Sequence, residues 1–328
     1  VVGAGSWGTT VACIASRNCP TVLWARRDEL ADEINTEHTN ERYLPTFTLP
    51  AVLRGSSSLE ETVSGADVVV MAVPSHGFRD VLAEAAPFIR PWVPVLSLSK
   101  GIELGTHKRM TEVINDLLPE HPAGALTGPN LAKEIMAGQP AAGVIAMADA
   151  RIANGLQPVF HSPGFRVYIN DDIIGCEIGG ALKNVMAIAA GMAAGLGFGD
   201  NTKAMLMTRG LSELTRLGVA MGGDPLTFSG LAGMGDLFAT CMSPFSRNQH
   251  VGVELGKGRK IDEIIAEMNM VAEGVKTSKV VGELAAKVGI ELPIAQQVEA
   301  VCHHGVSVAD ALASLMQRPS GHELDGIR

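Results

Sequence analysis

Lys183 is the only charged residue between Ile178 and Gly199, in a stretch (IGGALKNVMAIAAGMAAGLGFG) made mostly of small and apolar side chains. An ammonium buried without a partner is costly. The usual escape is a lowered pKa, which also makes a lysine a usable proton acceptor near neutral pH. On a helix, Gly179 and Gly180 lie one turn before it and Ala187 one turn after, leaving its face open to a flat ligand. The alternative is a lysine whose stem packs while its head reaches solvent at a helix end.

Two further constellations bear on that choice. Val1-Val2 runs straight into Gly3-Ala4-Gly5-Ser6-Trp7-Gly8, a G-x-G-x-x-G, and residues 9–16 read as a helix. Gly3 permits a tight turn, Gly5 lets the backbone approach a pyrophosphate, and Gly8 lets helix and strand pack, while the helix N-terminus offers N–H groups to phosphates. A strand at 21–24 completes the β-α-β unit that the motif requires. The acid expected about 20 residues after the glycines, which would hold a ribose 2′-hydroxyl, is missing. Arg26 and Arg27 stand there instead. They favour a 2′-phosphate, hence NADP(H) over NAD(H), unless they are ordinary surface charges. In the second half, Leu231-Ala-Gly-Met-Gly-Asp236 reads as a flexible uncharged turn that delivers one carboxylate, suited to pair with a lysine. Ser246 suits an N-cap, and a helix opening with Arg247 and Asn248 offers a phosphate site. The plainer reading there is capping beside a surface arginine.

These groups need elements to position them. Apolar runs at 21–24, 68–73, 93–98, 123–127, 143–147 and 166–170 alternate with helix-like segments such as 78–88 and 108–118. That alternation predicts a mostly parallel, doubly wound sheet covered on both faces. Polar residues follow the runs where such a sheet has its crevice. Val73-Pro74-Ser75-His76 ends one run; Ser97-Leu98-Ser99-Lys100-Gly101 ends the next and puts Lys100 at a carboxyl edge. Thr127-Gly128-Pro129-Asn130 ends another, ahead of a helix start at Leu131-Ala132-Lys133-Glu134. Each is also what an ordinary Gly/Pro turn looks like. Beyond Asp172 the strand-like runs stop, and helices are expected at 177–196, 203–217, 248–256, 261–269, 276–288, 294–303 and 308–316. The expected organisation is an α/β Rossmann domain at 1–172 and an all-α domain at 173–328.

At 328 residues the chain has material for two domains. Its net charge of −9 argues against nucleic-acid and anionic-membrane partners, so an anionic ligand needs a local basic site. The uncharged stretch after Lys183 lacks flanking basic clusters and reads as a core helix rather than a membrane span. Cys13, Cys19, Cys176, Cys241 and Cys302 form no C-x-x-C pair and read as reduced cytosolic thiols. The histidines lack zinc spacing, so no metal is expected. The chain opens without methionine inside an expected strand, so a few preceding residues are expected.

GAGSWGT at 3–9, SKG at 99–101, GPN-x-A-x-E at 128–134, GALKN at 180–184, GDNTK at 199–203, LAGMGDL at 231–237, SRN at 246–248 and AEG at 272–274 occur in this order. Together they resemble the bacterial NAD(P)-dependent glycerol-3-phosphate dehydrogenases over essentially the whole chain. The resemblance implies a Rossmann domain joined to a helical domain of the 6-phosphogluconate-dehydrogenase-like type. It also implies a cytoplasmic homodimer that reduces dihydroxyacetone phosphate to sn-glycerol 3-phosphate for phospholipid synthesis. By resemblance the proton acceptor falls on Lys183. Substrate contacts fall on Lys100, Gly128, Asn130, Lys183, Asn184, Asp236, Ser246, Arg247 and Asn248, with Asn130 where relatives carry serine or threonine. Coenzyme contacts fall on the glycine loop with Ser6 and Trp7, and on Arg26, Arg27, Lys100, Ala132, Arg247, Val271 and Glu273.

The implied chemistry is hydride transfer to C2 of the ketone, with Lys183 supplying the proton to the developing alkoxide. Lys100 serves as a second cation and Asp236 as their counter-charge. Arg247 and Asn248 at a helix start anchor the phosphate. A related two-domain hydroxyacid dehydrogenase would need a carboxylate-binding group in place of Ser246-Arg247-Asn248. A non-catalytic dinucleotide sensor would have no use for Lys183, Lys100 and Asp236 together.

Overall fold

The computed structural model describes residues 1–268, 272–319 and 322. The chain divides into two compact units, Val1–Ser99 with Lys108–Ile173, and Lys100–His107 with Ile174–Arg328.

In the first unit one sheet gathers β1 (Val22–Trp24), β2 (Arg54–Ser56), β3 (Val69–Met71), β4 (Val95–Ser97), β5 (Ala123–Thr127), β6 (Ala141–Met147) and β7 (Phe165–Asn170). β1 pairs with β2, and β3 to β7 lie side by side in order. Val2 joins the two groups through parallel bridges to Trp24 and Met71. Every pairing is parallel except that of β5 with β6. Counting Val2 as the first strand, the order runs third, second, first, fourth, fifth, sixth, and then continues through the seventh and eighth. That is the dinucleotide-fold order, and its reversal beside the first strand is where ligands bind. Val2 leads directly into Gly3 at that point.

The helices of this unit are α1 (Ser6–Ala15), α2 (Asp28–Thr36), α3 (Leu59–Val63), α4 (Phe78–Ala85), α5 (Met110–Leu117), α6 (Ala132–Met136) and α7 (Ala150–Phe160). Side chains alternate across a strand, so each strand feeds two cores. Val69, Met71 and Val95 pack with Phe78, Val81 and Leu82 of α4 and with Val113 and Ile114 of α5. Val70, Leu96, Leu126 and Ile145 pack on the other face with Val11 and Ile14 of α1 and with Leu156 and Phe160 of α7. Burial on both faces is why these strands read as continuous apolar runs. β2, sequence Arg-Gly-Ser, carries no such run and was not expected. It forms because Gly55 lets it lie against α2, where a Cβ would come within 2.7 Å of Ala31 O.

The second unit comprises α8 (Ile173–Gly195), α9 (Asp200–Ala220), α10 (Asp236–Met242), α11 (Arg247–Gly256), α12 (Ile261–Glu267), α13 (Glu273–Val288), α14 (Pro293–His304) and α15 (Val308–Met316). α8 is long and apolar enough to cross a membrane, but it is mostly buried as the core helix of the unit. It meets α11 at backbone contact: a Cβ on Gly191 would lie 2.1 Å from Gln249 O, and one on Gly252 would lie 2.1 Å from Ile188 O. Only glycine permits this approach, which holds the N-terminal end of α11 to α8. α14 receives its cap from another helix, because the buried Glu213 of α9 accepts from the N–H groups of Ile294 and Ala295 at 2.7 and 3.2 Å.

Two expectations need correction. The segment 231–236, expected as an irregular flexible turn, takes the form of a single π-turn, Leu231–Gly235, running into α10. Residues 100–107, placed by sequence with the sheet, belong to the helical unit. Ile102 is buried in the helical core, and His107 Nε2 lies 2.7 Å from Glu283 Oε2.

Candidate active site

Lys183 lies in the middle of α8 and is only 5% exposed. Its ammonium is partnered: Nζ donates to Asp236 Oδ1 at 2.6 Å and to Thr240 Oγ1 at 2.6 Å. Lys100 Nζ donates to the other oxygen, Asp236 Oδ2, at 2.7 Å. Asp236 opens α10 and is buried, so one carboxylate holds two lysines from separate segments. Burial pushes Lys100 down to about 8; Asp236 opposes this shift and Lys183 reinforces it. Two ammonium groups share one buried carboxylate, and positive charge held out of water in this way stabilises a developing oxyanion.

The open face expected before Lys183 is not free. Gly179 lets the π-turn sit on α8, since a Cβ there would lie 2.7 Å from Ala232 O. Thr240, to which the sequence reading gave no role, completes the cluster by donating to Asp236 Oδ1 at 3.3 Å. Its signal was available: four residues after Asp236, it shares that residue's helix face. The adjacent Cys241 thiol is pushed up to about 12 by burial, which keeps it protonated.

Asn184 follows Lys183 and points to the other partner: its Nδ2 donates to Lys100 O at 3.0 Å. Asn248 Nδ2 donates to Asn184 Oδ1 at 3.0 Å, and Asn248 Oδ1 accepts from Gly274 N at 2.9 Å. Ser246 is the N-cap of α11 and accepts from Gln249 N at 3.3 Å. Arg247 is solvent-exposed at the first position of that helix. Glu273 opens α13 and interacts electrostatically with Arg247. Val271 lies outside the described residues.

In the first unit the three glycines have separate physical reasons. Gly3 has φ +121°, and a Cβ there would lie 2.7 Å from Ala72 O. At Gly8 a Cβ would meet Gly3 O at 2.1 Å, so helix and strand pack only around glycine. At Gly5 a Cβ would meet nothing within 4 Å, which leaves room for a ligand's phosphates. No side chain caps α1 and no acid stands in its first turn. Trp7 Nε1 is buried without a partner, as are both polar atoms of Asn130. Gly128 has φ +123°, which explains its glycine, and Ala132 opens α6. Arg26 and Arg27 are exposed directly after β1. An uncapped helix start, an open glycine and unpartnered donors fit a dinucleotide.

Comparison with known proteins adds to this geometry. Residues 1–153 match the family NAD-dependent glycerol-3-phosphate dehydrogenase N-terminus, and residues 172–313 match the family NAD-dependent glycerol-3-phosphate dehydrogenase C-terminus. The chain is 61% identical to glycerol-3-phosphate dehydrogenase (NAD(P)+) 2 of Sphingopyxis alaskensis over 98% of this chain and 97% of that one. It is 54% identical to glycerol-3-phosphate dehydrogenase (NAD(P)+) of Mycobacterium avium over 99% and 96%. Among solved structures, the glycerol-3-phosphate dehydrogenase of Coxiella burnetii superposes with a TM-score of 0.92 at 36% identity, covering 97% of this chain and 98% of that one. With both halves matched in order and nearly full-length relatives above half identity, the chain belongs to the NAD-dependent glycerol-3-phosphate dehydrogenase family.

Proposed function

We propose that Lys183, Asp236 and Lys100 form the proton-transfer site of an NAD(P)-dependent reduction of dihydroxyacetone phosphate to sn-glycerol 3-phosphate. The observation that carries this reading is the single buried carboxylate holding two ammonium groups. As a member of its family the chain is an oxidoreductase using NAD or NADP. When bound, the reduced nicotinamide supplies the hydride. Lys183 gives its proton to the oxygen that develops charge at C2, and takes it back in the oxidative direction. Lys100 adds a second positive charge toward that oxygen, and Asp236 keeps both lysines in place.

Ser246, Arg247, Asn248 and the N–H groups opening α11 hold the substrate phosphate. Gly128, Asn130 and Asn184 are further substrate contacts, the unpartnered Asn130 amide being the best supported of these. The glycine loop, Ser6, Trp7, Arg26, Arg27, Lys100, Ala132, Arg247, Val271 and Glu273 take the coenzyme. Arg26 and Arg27 favour NADP(H). A cytoplasmic homodimer supplying phospholipid synthesis, without nucleic-acid or membrane partners, completes the reading. It rests on the resemblance, with the net charge of −9 and five unpaired cysteines in keeping with it.

The substrate assignment is tested at Arg247. Charge-assisted bonds are worth about 1.5 to 3 kcal/mol each, so Arg247→Ala should lower kcat/KM for dihydroxyacetone phosphate at least about tenfold. Turnover of unphosphorylated dihydroxyacetone should hardly change. With NADPH affinity measured alongside, equal losses on both ketones would move the phosphate site elsewhere.

A further inference from the structure

In the glycine loop the Ala4–Gly5 peptide can turn over at little steric cost. Turning it changes ψ of Ala4 and φ of Gly5, and glycine accepts either sign of φ. A Cβ on Gly5 would meet nothing within 4 Å, so no packing opposes the change. The two orientations differ for an anion. The peptide is trans, so the Ala4 carbonyl and the Gly5 N–H point in opposite directions. One orientation offers a pyrophosphate a donor, and the other offers it an oxygen.

The residue that fixes the choice comes from outside the motif, from the segment 37–53 between α2 and β2, which holds no helix or strand. Its Asn40 is fully buried. Asn40 Nδ2 donates to Ala4 O at 2.9 Å and to Thr9 Oγ1, in the first turn of α1, at 2.9 Å. Asn40 Oδ1 accepts from Tyr43 N at 3.3 Å. Ala4 O can only accept and Tyr43 N can only donate, so the amide has one orientation; reversed, it sets oxygen against oxygen. The segment is itself anchored. Glu33 Oε1 on α2 accepts from Thr39 Oγ1 and from Glu41 N, each at 2.8 Å, on either side of Asn40. Leu49 and Leu53 share a core with Ala4, Leu23 and Ile34.

We propose that Asn40 is a positioning residue for the coenzyme: by holding Ala4 O it keeps the Gly5 N–H turned the other way, as the donor that the pyrophosphate meets. A loop free to take both orientations binds only in the fraction that faces correctly, and its affinity falls by that fraction. The role rests on the reading of the glycine loop as the phosphate site of the coenzyme.

The test uses the full chain with Asn40→Ala and Asn40→Leu, titrated with NADPH and NADH by fluorescence and assayed with dihydroxyacetone phosphate. Loss of the donor should raise Kd for both coenzymes by the same factor, about tenfold, because the pyrophosphate is common to both. At saturating coenzyme, kcat and KM for the ketone should stay within about twofold of wild type. Leucine keeps the branched shape of asparagine, so a side chain that only fills space predicts wild-type affinity in Asn40→Leu, and that result would overturn the role. A loss confined to NADPH, or a fall in kcat with both Kd values intact, would overturn it as well. Unfolding curves show whether the variants fold. If neither does, Glu33→Ala, at a part-exposed position, releases Thr39 and Glu41 around Asn40 and should raise both Kd values about threefold; unchanged values there would overturn the role. Wild-type coenzyme affinity in Gly5→Ala would remove the underlying reading and this role with it. Weak binding by Gly5→Ala beside normal binding by the Asn40 variants would remove the role alone.

Discussion

Lys100 and Lys183 donate to opposite oxygens of the same buried carboxylate, at 2.7 Å to Asp236 Oδ2 and 2.6 Å to Asp236 Oδ1. The three groups therefore stand or fall unequally. Removing one lysine leaves the carboxylate paired, whereas removing the carboxylate takes the shared counter-charge from both ammonium groups and leaves the buried Lys183 on the Thr240 hydroxyl.

Lys183→Ala is accordingly expected to fold, to bind coenzyme normally, and to lose about 10²- to 10⁴-fold in turnover, the usual contribution of a positioned acid or base. Asp236→Ala should in addition destabilise the fold by about 3 to 5 kcal/mol, the cost of an uncompensated buried charge. Urea unfolding alongside steady-state rates separates the two effects. A Lys183→Ala enzyme within a few-fold of wild type would rule out proton transfer. Equal stability of the two variants would rule out the shared counter-charge.

Lys100, pushed down to about 8 by burial, carries its charge below that pH and loses it as the pH rises through it. If that charge steadies the developing oxyanion, kcat/KM for ketone reduction should fall on the alkaline side of about pH 8. Lys100→Arg, charged at every accessible pH, should carry the alkaline limb upward even if the rate is lower overall. A limb unmoved by that substitution would assign it to another group.

Coenzyme choice should follow Arg26. With its guanidinium exposed at the end of β1, Arg26→Ala should weaken NADPH by about 1.5 to 3 kcal/mol and NADH much less. Fluorescence titration with both coenzymes decides this, and equal losses would make the arginine structural.

The glycine loop offers a contrast between neighbours. Gly5→Ala meets no protein atom and has an ordinary φ of −69°, so the fold should survive while coenzyme affinity drops. Gly8→Ala places a Cβ 2.1 Å from Gly3 O and should reduce stability sharply. Thermal melts with coenzyme titrations check both. Intact coenzyme binding in Gly5→Ala would mean the phosphates do not pass there.

Much of the fold was legible because it is written in local repeats. Two-sided burial makes the strands read as apolar runs, and the 3.6-residue period marks the long helices. The short β2 is not legible because Arg-Gly-Ser carries no apolar signal; its place is set by a close approach to α2. The π-turn before α10 leaves no signal for a similar reason: Gly233 serves close packing, since a Cβ there would lie 2.2 Å from Phe228 O.

By itself the sequence determined the dinucleotide loop, the alternation of strands and helices, the buried lysine in α8 and the capped start of α11, because each depends on residues within one or two turns of each other. The tertiary structure alone decided that Lys100 leaves the sheet for the helical unit and that Thr240 joins the carboxylate shared by the two lysines. It also decided that Asn184 and Asn248 tie Lys100 to Gly274. The Lys100–Asp236 pair spans 136 residues and the Lys183–Asp236 pair 53. Contacts at such separations leave no periodicity in the chain. They arise from the need of each buried charge and amide for a partner, and the packed helices decide which partner is within reach.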